Sequence, residues 1–480
     1  MQKKLFSGIL LFLFLNLLIK PFWILGIDVS VQNAVGAEEF GIYFALFNFS
    51  FIFNILLDLG ITNFNNKNIA QHHHLITKHL SGILGIKFIL FFVFLAVTLV
   101  AGLIVGYNSR QFLLLLWMCF NQFLNSLILY LRSNFSGLLM FKTDSLLSIL
   151  DRLLMIVFCS ILLWGNVTQK AFQIEWFIGT QTLSYLITAA VALAALVHKS
   201  GIKKLTLNIP FSISIIKKSL PYAILTLLMA SYNRIDPIML ERILHNGEGS
   251  IASGIYAGAY RLLDALVMLA YLVSVPLLPV YAKMIKEKKS PASITQTVFI
   301  VVFASSVCIS TTLSGLSDTI MNLLYNSNTS EYASVFKILV FGFIPISITY
   351  VFGTLLTANG NLKELNTLSL ITLGLNIGIN ILLIPRIQEC GSAIASLSAQ
   401  SFIAIAQIVV AFKIFKFKPP YRTIIQLLAY TAIVIASNKV FGLLNMHWIA
   451  HIACMAATMG LSLIALRLIK IKELIAMLKE

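Results

Sequence analysis

Apolar residues run along this chain in long blocks that short polar segments separate. A helical block of about 20 apolar residues spans the hydrocarbon core of a bilayer. A window of about 19 residues predicts such helices at 5–27, 39–63, 80–106, 111–131, 145–164, 172–197, 214–240, 251–281, 293–316, 332–356, 365–385, 391–412, 421–441 and 447–467. The pattern therefore predicts an all-α integral membrane protein with about 14 transmembrane helices.

The composition supports this fold class. The chain has 480 residues, of which 59% are apolar and 11% charged, against roughly 45–50% and 25% in soluble domains. Its mean hydropathy is +0.91 over the whole length, which excludes a soluble globular protein and any large domain outside the membrane.

Lys3 and Lys4 before the first apolar run imitate a signal peptide, but no small-x-small cleavage site follows. We interpret this run as an uncleaved first span.

The basic residues predict the orientation. Of 35 lysines and arginines, 24 fall on the side that holds both termini, 5 on the other side and 6 inside spans. Cytoplasmic loops of membrane proteins carry such an excess, so both termini are predicted to be cytoplasmic. The net charge of +17 thus reports loop orientation, and no nucleic acid is expected as a partner.

Motifs for cofactor, metal or covalent chemistry are missing from the sequence. The five cysteines are scattered, with no CxxC spacing, which predicts neither a disulfide framework nor a metal site. His72, His73 and His74 lack a nearby thiolate or carboxylate and are interpreted as a solvated loop. The sequence has no GxxxxGK[ST], GxSxG or HExxH motif, so ATP hydrolysis by this chain is not expected.

A short internal repeat indicates two halves. Gly41-Ile42-Tyr43 opens the second predicted span and Gly254-Ile255-Tyr256 opens the eighth, although three-residue matches also arise by chance in so biased a composition. The repeat predicts a six-helix bundle over 1–200, a basic linker over 201–213, a second six-helix bundle over 214–415, and two additional helices with a cytoplasmic tail over 416–480.

Charged side chains inside the predicted spans are functional candidates. A charge at the centre of a span costs roughly 2.5–3.5 kcal/mol on insertion scales, so it tends to face a cavity or a partner. The basic candidates are Lys20, Lys87, Arg152, Arg234, Arg261 and Lys337, and the acidic ones are Asp58, Asp151, Asp236 and Asp264.

Two interpretations stay open for the eighth span. Gly254, Gly258 and Arg261 recur at helical spacing and form one stripe of small residues that leads to a cation. The stripe indicates either close helix packing with an Arg261–Asp264 pair, or a cation that faces a cavity.

The seventh and first spans combine charge with proline. Arg234 and Asp236 point to nearly opposite sides of a helix, and Pro237 interrupts its hydrogen bonds, which predicts a bend. In the first span Asn16 and Lys20 share one face beside another proline. For both spans the alternative is that the charges reach the nearer membrane interface.

Polar stripes also mark spans from both halves. Most amides in membranes make interhelical hydrogen bonds worth under about 1 kcal/mol, but several facing stripes are also typical of the hydrated cavity of a transporter. The candidates that face such a cavity are Asn16, Asn54, Asn125, Asn376, Asn380 and Gln400.

Six segments in order resemble the polysaccharide-unit flippases, the O-antigen (Wzx-type) flippase family of the multidrug/oligosaccharidyl-lipid/polysaccharide exporter superfamily. They are DLGITNFNNKNIAQ at 58–71, RIDPIML at 234–240, GIYAGAYRLLDAL at 254–266, LTANGNLKELN at 356–366, LNIGINILLIP at 375–385 and GSAIASLSAQ at 391–400. The resemblance implies two six-helix bundles around a central cavity, with two further helices at 421–467. It also implies a flippase, and no enzyme, that moves polyprenyl-pyrophosphate-linked oligosaccharide units from the cytoplasmic to the outer leaflet by alternating access, for surface polysaccharide biosynthesis.

The resemblance assigns roles to the charged candidates. Cavity cations would bind the diphosphate through charge-assisted hydrogen bonds; the candidates are Lys20, Arg234 and Arg261, then Arg152 and Lys337. Asp58, Asp236 and Asp264 would couple transport to H⁺ or Na⁺, or hold the cations in place when the cavity is empty. The amide side chains would bind the sugar hydroxyls.

The implied location is the bacterial inner (cytoplasmic) membrane. The expected partners are the lipid-linked oligosaccharide, membrane lipids and a polysaccharide polymerase machinery. Two other classes remain: an integral-membrane glycosyltransferase or polymerase, which usually needs a larger loop outside the membrane, and a small-molecule or ion antiporter of the same superfamily, which predicts a more acidic cavity.

Overall fold

The computed structural model of the chain is helical throughout the part that it describes. It describes residues 15–16, 18–19, 21–62, 65–66, 69, 76–138, 140–165, 167, 170–200, 223–244, 247–417, 420–444 and 446–468. Within these ranges no strand occurs, and ten helices are long and apolar enough to cross a membrane. The all-α, multi-pass membrane fold is thus confirmed. The count of about 14 spans stays a prediction, because parts of the first and seventh predicted spans lie outside the described ranges.

Internal contacts divide the chain into two units, 1–254 and 255–480. The expected division at the basic linker 201–213 stays a prediction, since the linker lies outside the described residues.

The first unit is a bundle centred on one helix. Its elements are a π-helical turn at Trp23–Asp28, α1 (Val29–Ile52), a 3-10 turn at Phe53–Leu57, α2 (Ile76–Val105), α3 (Ser109–Gly137), α4 (Phe141–Trp164), α5 (Ile174–Ser200), helical residues 223–234, α6 (Asp236–Ile243) and the first residues of α7 (Glu248–Lys286). Helix α3 packs against α1, α2, α4 and α5. It starts with a capping box in which the Asn108 side chain accepts the backbone N–H of Gln111, and the Gln111 side chain accepts that of Asn108.

Two backbone breaks shape the start of this unit. Gly36 has φ 83° and ψ 168° inside α1, a conformation that glycine adopts without steric cost, and it lies in the loop predicted between the first two spans. The second break follows Leu57, so the predicted continuous helix over 39–63 is wrong at its end.

A third departure from regular helix, the bend predicted before Pro237, is confirmed. The helix ends at Arg234, and α6 restarts at Asp236 with proline in its first turn, where the missing N–H costs nothing.

The second unit contains most of α7, then α8 (Ala292–Gly315), α9 (Ser317–Leu324), α10 (Thr329–Leu339), a 3-10 turn at Val340–Gly342, α11 (Phe343–Ala358), α12 (Leu362–Phe415), α13 (Tyr421–Leu443) and α14 (Trp448–Ala465). Helices α13 and α14 pack on α8. The Tyr430 hydroxyl donates to the Ala304 carbonyl at 2.8 Å, and the other faces of both helices expose large apolar side chains, as expected for contact with lipid.

Element α12 is a hairpin of two helices. Ile387 and Gln388 have non-helical backbone angles, and the Ser392 hydroxyl donates to the Asn380 side chain at 2.8 Å. A straight helix would separate residues that far apart in sequence by roughly 18 Å, at 1.5 Å per residue. The chain therefore reverses direction near Gln388, as the two predicted spans 365–385 and 391–412 require.

Candidate functional site

The two repeated glycines meet in the first unit. A Cβ added at Gly41 would lie 1.8 Å from the Ser250 carbonyl oxygen, and one added at Gly254 would lie 1.9 Å from the Ala37 carbonyl oxygen. Ser250 lies one helical turn before Gly254, and Ala37 lies one helical turn before Gly41. Each glycine thus contacts the helix turn that precedes the other glycine. The internal repeat of two halves stays a prediction. The close helix packing expected at Gly254 is confirmed here, while the Arg261–Asp264 pair stays a prediction.

Polar contacts reinforce this crossing. The Gln32 amide donates to the Gly254 carbonyl at 2.7 Å, and the Ser253 hydroxyl donates to the Gly41 carbonyl at 3.3 Å. The start of α7 is therefore fixed to α1 by packing and by hydrogen bonds.

Arg152 lies in a polar pocket inside the first unit. Its guanidinium lies 3.6 Å from the Asp151 carboxylate and 5.5 Å from the centre of the Trp23 ring. Tyr185 hydrogen-bonds to it, and Asp28 interacts with it electrostatically. Although α4, α5 and the Trp23 turn surround it, 29% of its side chain is exposed. The structure thus gives this predicted cation one carboxylate neighbour and leaves its side chain partly exposed.

An aromatic wall backs this pocket. Trp23 stacks on Phe177 with ring centres 5.9 Å apart and an interplanar angle of 5°, and Tyr43 meets the same phenylalanine edge-on at 5.2 Å. The Gln181 amide donates to the Tyr43 hydroxyl at 2.7 Å. Sequence patterns alone did not identify Phe177 or Gln181, because aromatic and polar side chains are common on all the spans.

Arg234 lies against α1. Its guanidinium lies 5.4 Å from the centre of the Phe51 ring and 3.5 Å from the Asn48 side-chain oxygen. The neighbouring Asp236 is fully buried. Because the bend at Ile235 lies between them, the arginine is half-buried and the carboxylate belongs to the interior.

Asp58 has a partner that the sequence prediction did not assign to it. The Lys87 ammonium lies 2.5 Å from the Asp58 carboxylate and is buried. Lys87 stands out in the sequence as a cation in an apolar run, but the separation of 29 positions along the chain concealed the pairing. One turn earlier, the predicted cavity residue Asn54 donates to Gln122 at 2.5 Å.

Arg110 joins three helices at the end of the first unit that the topology predicts to be outside the cytoplasm. It binds Glu39 of α1 through two hydrogen bonds of 2.7 Å and Glu175 of α5 at 2.7 Å. Bidentate pairs of this kind are the more specific form of arginine–carboxylate contact.

Arg242 organises a second network at the same end. Its guanidinium lies 4.2 Å from the centre of the Tyr107 ring and 2.9 Å from both Gln111 and Glu241. The Gln111 amide also donates to Glu241 at 2.6 Å. Burial raises the pKa of Glu241, and the adjacent Arg242 counteracts only part of that shift. Burial, followed by the Glu241 charge, likewise raises the pKa of Tyr107.

In the second unit, Arg261 is buried and Asp264 half-buried. The stripe that leads to Arg261 packs closely here too, since a Cβ at Gly258 would lie 2.4 Å from the Tyr332 ring. Lys337 pairs instead with Asp318 at 2.8 Å, and both side chains are exposed. Of these two predicted cations, only Arg261 is held in the interior of the unit.

The predicted amide residues of the second unit form a buried set across the α12 hairpin. Asn380 donates to the Asn376 side chain at 2.9 Å and accepts from Ser392 at 2.8 Å. Asn376, Asn380 and Gln400 are all buried.

Three other predicted residues belong to the first unit. Asn16 is buried and donates to Ser148 at 3.2 Å, while Asn125 is half-buried on α3. Lys20 and the three consecutive histidines lie outside the described residues. The central cavity between two bundles stays a prediction.

Comparison with known proteins decides the family. A family model described as "Polysaccharide biosynthesis protein" matches residues 5–285. The chain belongs to this polysaccharide biosynthesis family. No curated protein sequence matches it.

Three solved structures resemble this member of the family over most of its length. The lipid II flippase MurJ, in an inward closed conformation, matches with a TM-score of 0.73 and 15% identity, over 95% of this chain and 99% of that one. A multidrug resistance MATE transporter of the MOP superfamily in an inward-facing conformation matches with a TM-score of 0.63 and 12% identity, over 82% and 94%. The Vibrio cholerae MATE transporter VcmN matches with a TM-score of 0.57 and 15% identity, over 87% and 97%. At these identities the likeness establishes a shared fold.

Proposed function

We propose that this protein is a flippase that moves polyprenyl-pyrophosphate-linked oligosaccharide units from the cytoplasmic to the outer leaflet by alternating access, and that it is not an enzyme. Membership of the polysaccharide biosynthesis family and the fold shared with a lipid II flippase support the substrate class. The observation that carries the proposal is the Arg152 side chain, a cation of the first unit that is partly exposed and has polar neighbours.

The chemistry of the head group fits this pocket. A pyrophosphate cannot enter hydrocarbon unaided, because removing its water without new partners is very costly. A guanidinium replaces that water with charge-assisted hydrogen bonds in a fork that matches phosphate oxygens. Arg152 and the half-buried Arg234 are the proposed diphosphate-binding residues of the first unit, and Arg261 is that of the second. Asp236 and Asp264 stay candidates for ion coupling.

The test uses liposomes with a labelled polyprenyl-pyrophosphate oligosaccharide in both leaflets and a membrane-impermeant enzyme that cleaves the head group. Without flipping, about half of the label is accessible, because the two leaflets of a bilayer hold similar amounts of lipid. The wild-type protein is expected to drive cleavage towards completion. Arg152→Gln and Arg234→Gln are expected to slow it about ten- to hundred-fold, since each removes a charged hydrogen bond worth roughly 1.5–3 kcal/mol.

Lys289→Gln is the matched control. It removes one positive charge from an exposed residue that pairs with Glu287 in a loop of the second unit, and it is expected to leave the rate unchanged. Wild-type accessibility that stays near half under every imposed ion gradient would contradict the proposal and favour the glycosyltransferase, polymerase or antiporter alternatives.

A further inference from the structure

Helices α13 and α14 meet at one end of the second unit through a polar contact. The Gln426 amide of α13 donates to the Leu466 carbonyl at the end of α14 at 2.8 Å, so the start of α13 lies beside the end of α14. Three residues before Gln426, the Thr423 hydroxyl accepts the Gln296 amide of α8 at 3.1 Å. The distribution of basic residues predicts that this end faces the cytoplasm.

Two arginines flank this contact. Arg422 lies four residues before Gln426, which places it about 6 Å away along the axis of α13 and on the same face. Arg467 directly follows Leu466, and both arginine side chains are exposed. We refer to Arg422 and Arg467 as the arginine pair.

The arginine pair has no counter-charge on the helices that form this end. The sequences of α8, α13 and α14 contain no aspartate or glutamate. Within the part of the chain that the structure describes, neither arginine side chain makes an ion pair or a hydrogen bond. Glu287, the acidic residue that precedes α8, pairs with Lys289 at 2.7 Å. A counter-anion for the pair therefore has to come from outside these helices.

Exposed apolar side chains continue from the arginine pair towards the middle of both helices. They are Ile424, Ile425 and Leu428 on α13, and Leu461 and Ile464 on α14. Tyr421, which is 72% exposed, lies beside Arg422 at the start of α13, and tyrosines are enriched at the level of the lipid head groups. The surface thus matches the two parts of a membrane lipid, with a charged level and an apolar level beside it.

We propose that the arginine pair binds the head-group phosphate of an anionic phospholipid, whose acyl chains lie against the exposed faces of α13 and α14. A guanidinium presents its donors in a planar fork that matches phosphate oxygens, and it gives up its water more readily than an ammonium does. The apolar side chains beside the pair favour a lipid over a free phosphate ion. This lipid is a resident partner and not the transported substrate, so the inference goes beyond the proposed function.

The charge of the pair also selects the type of head group. A choline head group would bring a positive charge next to two guanidinium groups, whereas a phosphoglycerol head group carries only the negative charge of its phosphate. Each basic residue near an anionic membrane surface increases affinity about five-fold. The pair should therefore favour phosphatidylglycerol over phosphatidylcholine by roughly 30-fold.

The test counts the lipids bound to delipidated protein in neutral detergent by native mass spectrometry. The protein is titrated with dioleoylphosphatidylglycerol or with dioleoylphosphatidylcholine, and the wild type is expected to show the stated preference in its tightest-bound lipid. Arg422→Gln and Arg467→Gln should each weaken the binding of that phosphatidylglycerol about ten-fold, since each removes a charge-assisted hydrogen bond. Arg422→Lys keeps the charge but loses the fork, so it should weaken binding by a smaller factor.

Lys363→Gln is the matched control. It removes one positive charge from another exposed residue of the second unit at the end predicted to face the cytoplasm, and it should leave the tightest-bound phosphatidylglycerol unchanged. Equal weakening by Lys363→Gln and Arg422→Gln would overturn the inference, because only unspecific attraction would then remain. Displacement of the lipid by an excess of inorganic phosphate would also overturn it, because the pair would then bind a free anion.

A variant that does not fold leaves the inference testable. Both arginines are exposed, so the glutamine variants are expected to keep a monodisperse size-exclusion peak. Should one of them lose it, Arg422→Lys decides the question, since weaker binding supports the inference and wild-type binding overturns it. Lipid counting needs no transport, so failure of the flippase proposal is detected separately in liposomes.

Discussion

The crossing of α1 with the start of α7 allows a quantitative prediction about Gly41. In Gly41→Ala the new Cβ would lie 1.8 Å from the Ser250 carbonyl oxygen, whereas a relaxed carbon–oxygen contact is about 3.3 Å. The two helices must therefore separate by roughly 1.5 Å. A backbone carbonyl cannot turn aside as a flexible side chain can, so the whole segment has to move.

The energetic cost follows from what the separation disrupts. Overpacking of this kind costs typically 1–3 kcal/mol, and the two hydrogen bonds across the crossing, from Gln32 and Ser253, contribute about 0.6 kcal/mol each on the membrane-protein average. The expected loss of stability is about 2–4 kcal/mol. At roughly 2 °C per kcal/mol for a large chain, the apparent melting temperature should fall by about 4–8 °C. Gly254→Ala, which meets Ala37 at 1.9 Å, should behave alike.

The assay is the loss of the monodisperse size-exclusion peak of detergent-solubilised protein after heating. Gly179→Ala is the matched control, because it makes the same change in α5 where nothing lies within 4 Å of the added Cβ. Alanine is the better helix former by about 1 kcal/mol, so this variant should melt at or slightly above the wild-type temperature. Equal melting of Gly41→Ala and Gly179→Ala would refute the reasoning, because no close contact would then exist at Gly41.

Three further outcomes are expected. Asn380→Ala leaves the buried Ser392 hydroxyl without its acceptor and should cost about 1–3 kcal/mol in heat-denaturation assays, whereas Ser392→Ala should cost under about 1.5 kcal/mol, because the Asn380 amide keeps its bonds to Asn376. Because the folded-state pKa of Glu241 is raised, the folded form binds a proton more readily than the unfolded chain. Stability should therefore fall as pH rises through the window between the ordinary glutamate pKa, about 4.3, and the raised value; melting curves across pH should show this slope in the wild type and lose it in Glu241→Gln. Arg110→Ala should lower the melting temperature in dilute buffer but hardly in about 1 M salt, since exposed ion pairs are screened; an equal effect at both salt levels would argue against an electrostatic role.

Much of the membrane architecture was predictable because apolar runs report burial in lipid directly. The predicted spans 80–106, 111–131, 145–164 and 172–197 correspond closely to α2, α3, α4 and α5. The hairpin inside α12 was also predictable, since the polar stretch around Gln388 interrupts two apolar runs. The bend at Ile235 followed from Pro237 alone.

The partners of the charged residues were not predictable. Ion pairing depends on which helices are neighbours, and one sequence contains no record of that. Lys87 and Asp58 show the difficulty: each is conspicuous as a charge in an apolar run, yet only the fold brings them to 2.5 Å. Lys337 shows the same difficulty, because its partner Asp318 lies on a different helix.

The break after Leu57 was missed for a related reason. The stripe of Asn54 and Asp58 has helical spacing, so periodicity predicted an uninterrupted helix. The left-handed angles at Leu59 and Gly60 follow the Leu57 carbonyl, to which Lys87 donates from another helix. Local sequence contained only the glycine as a signal.

The contact between α1 and the start of α7 has a consequence for biosynthesis. The Gln32 amide hydrogen-bonds to a carbonyl 222 residues later in the chain. At about 5–20 residues per second, the ribosome needs roughly 11–44 s to make that stretch. During this delay the glycine face of α1 stands in the bilayer without its native neighbour. A fragment that ends at the basic linker lacks this neighbour permanently, so an isolated N-terminal half intended for biochemical work should extend to Gly254.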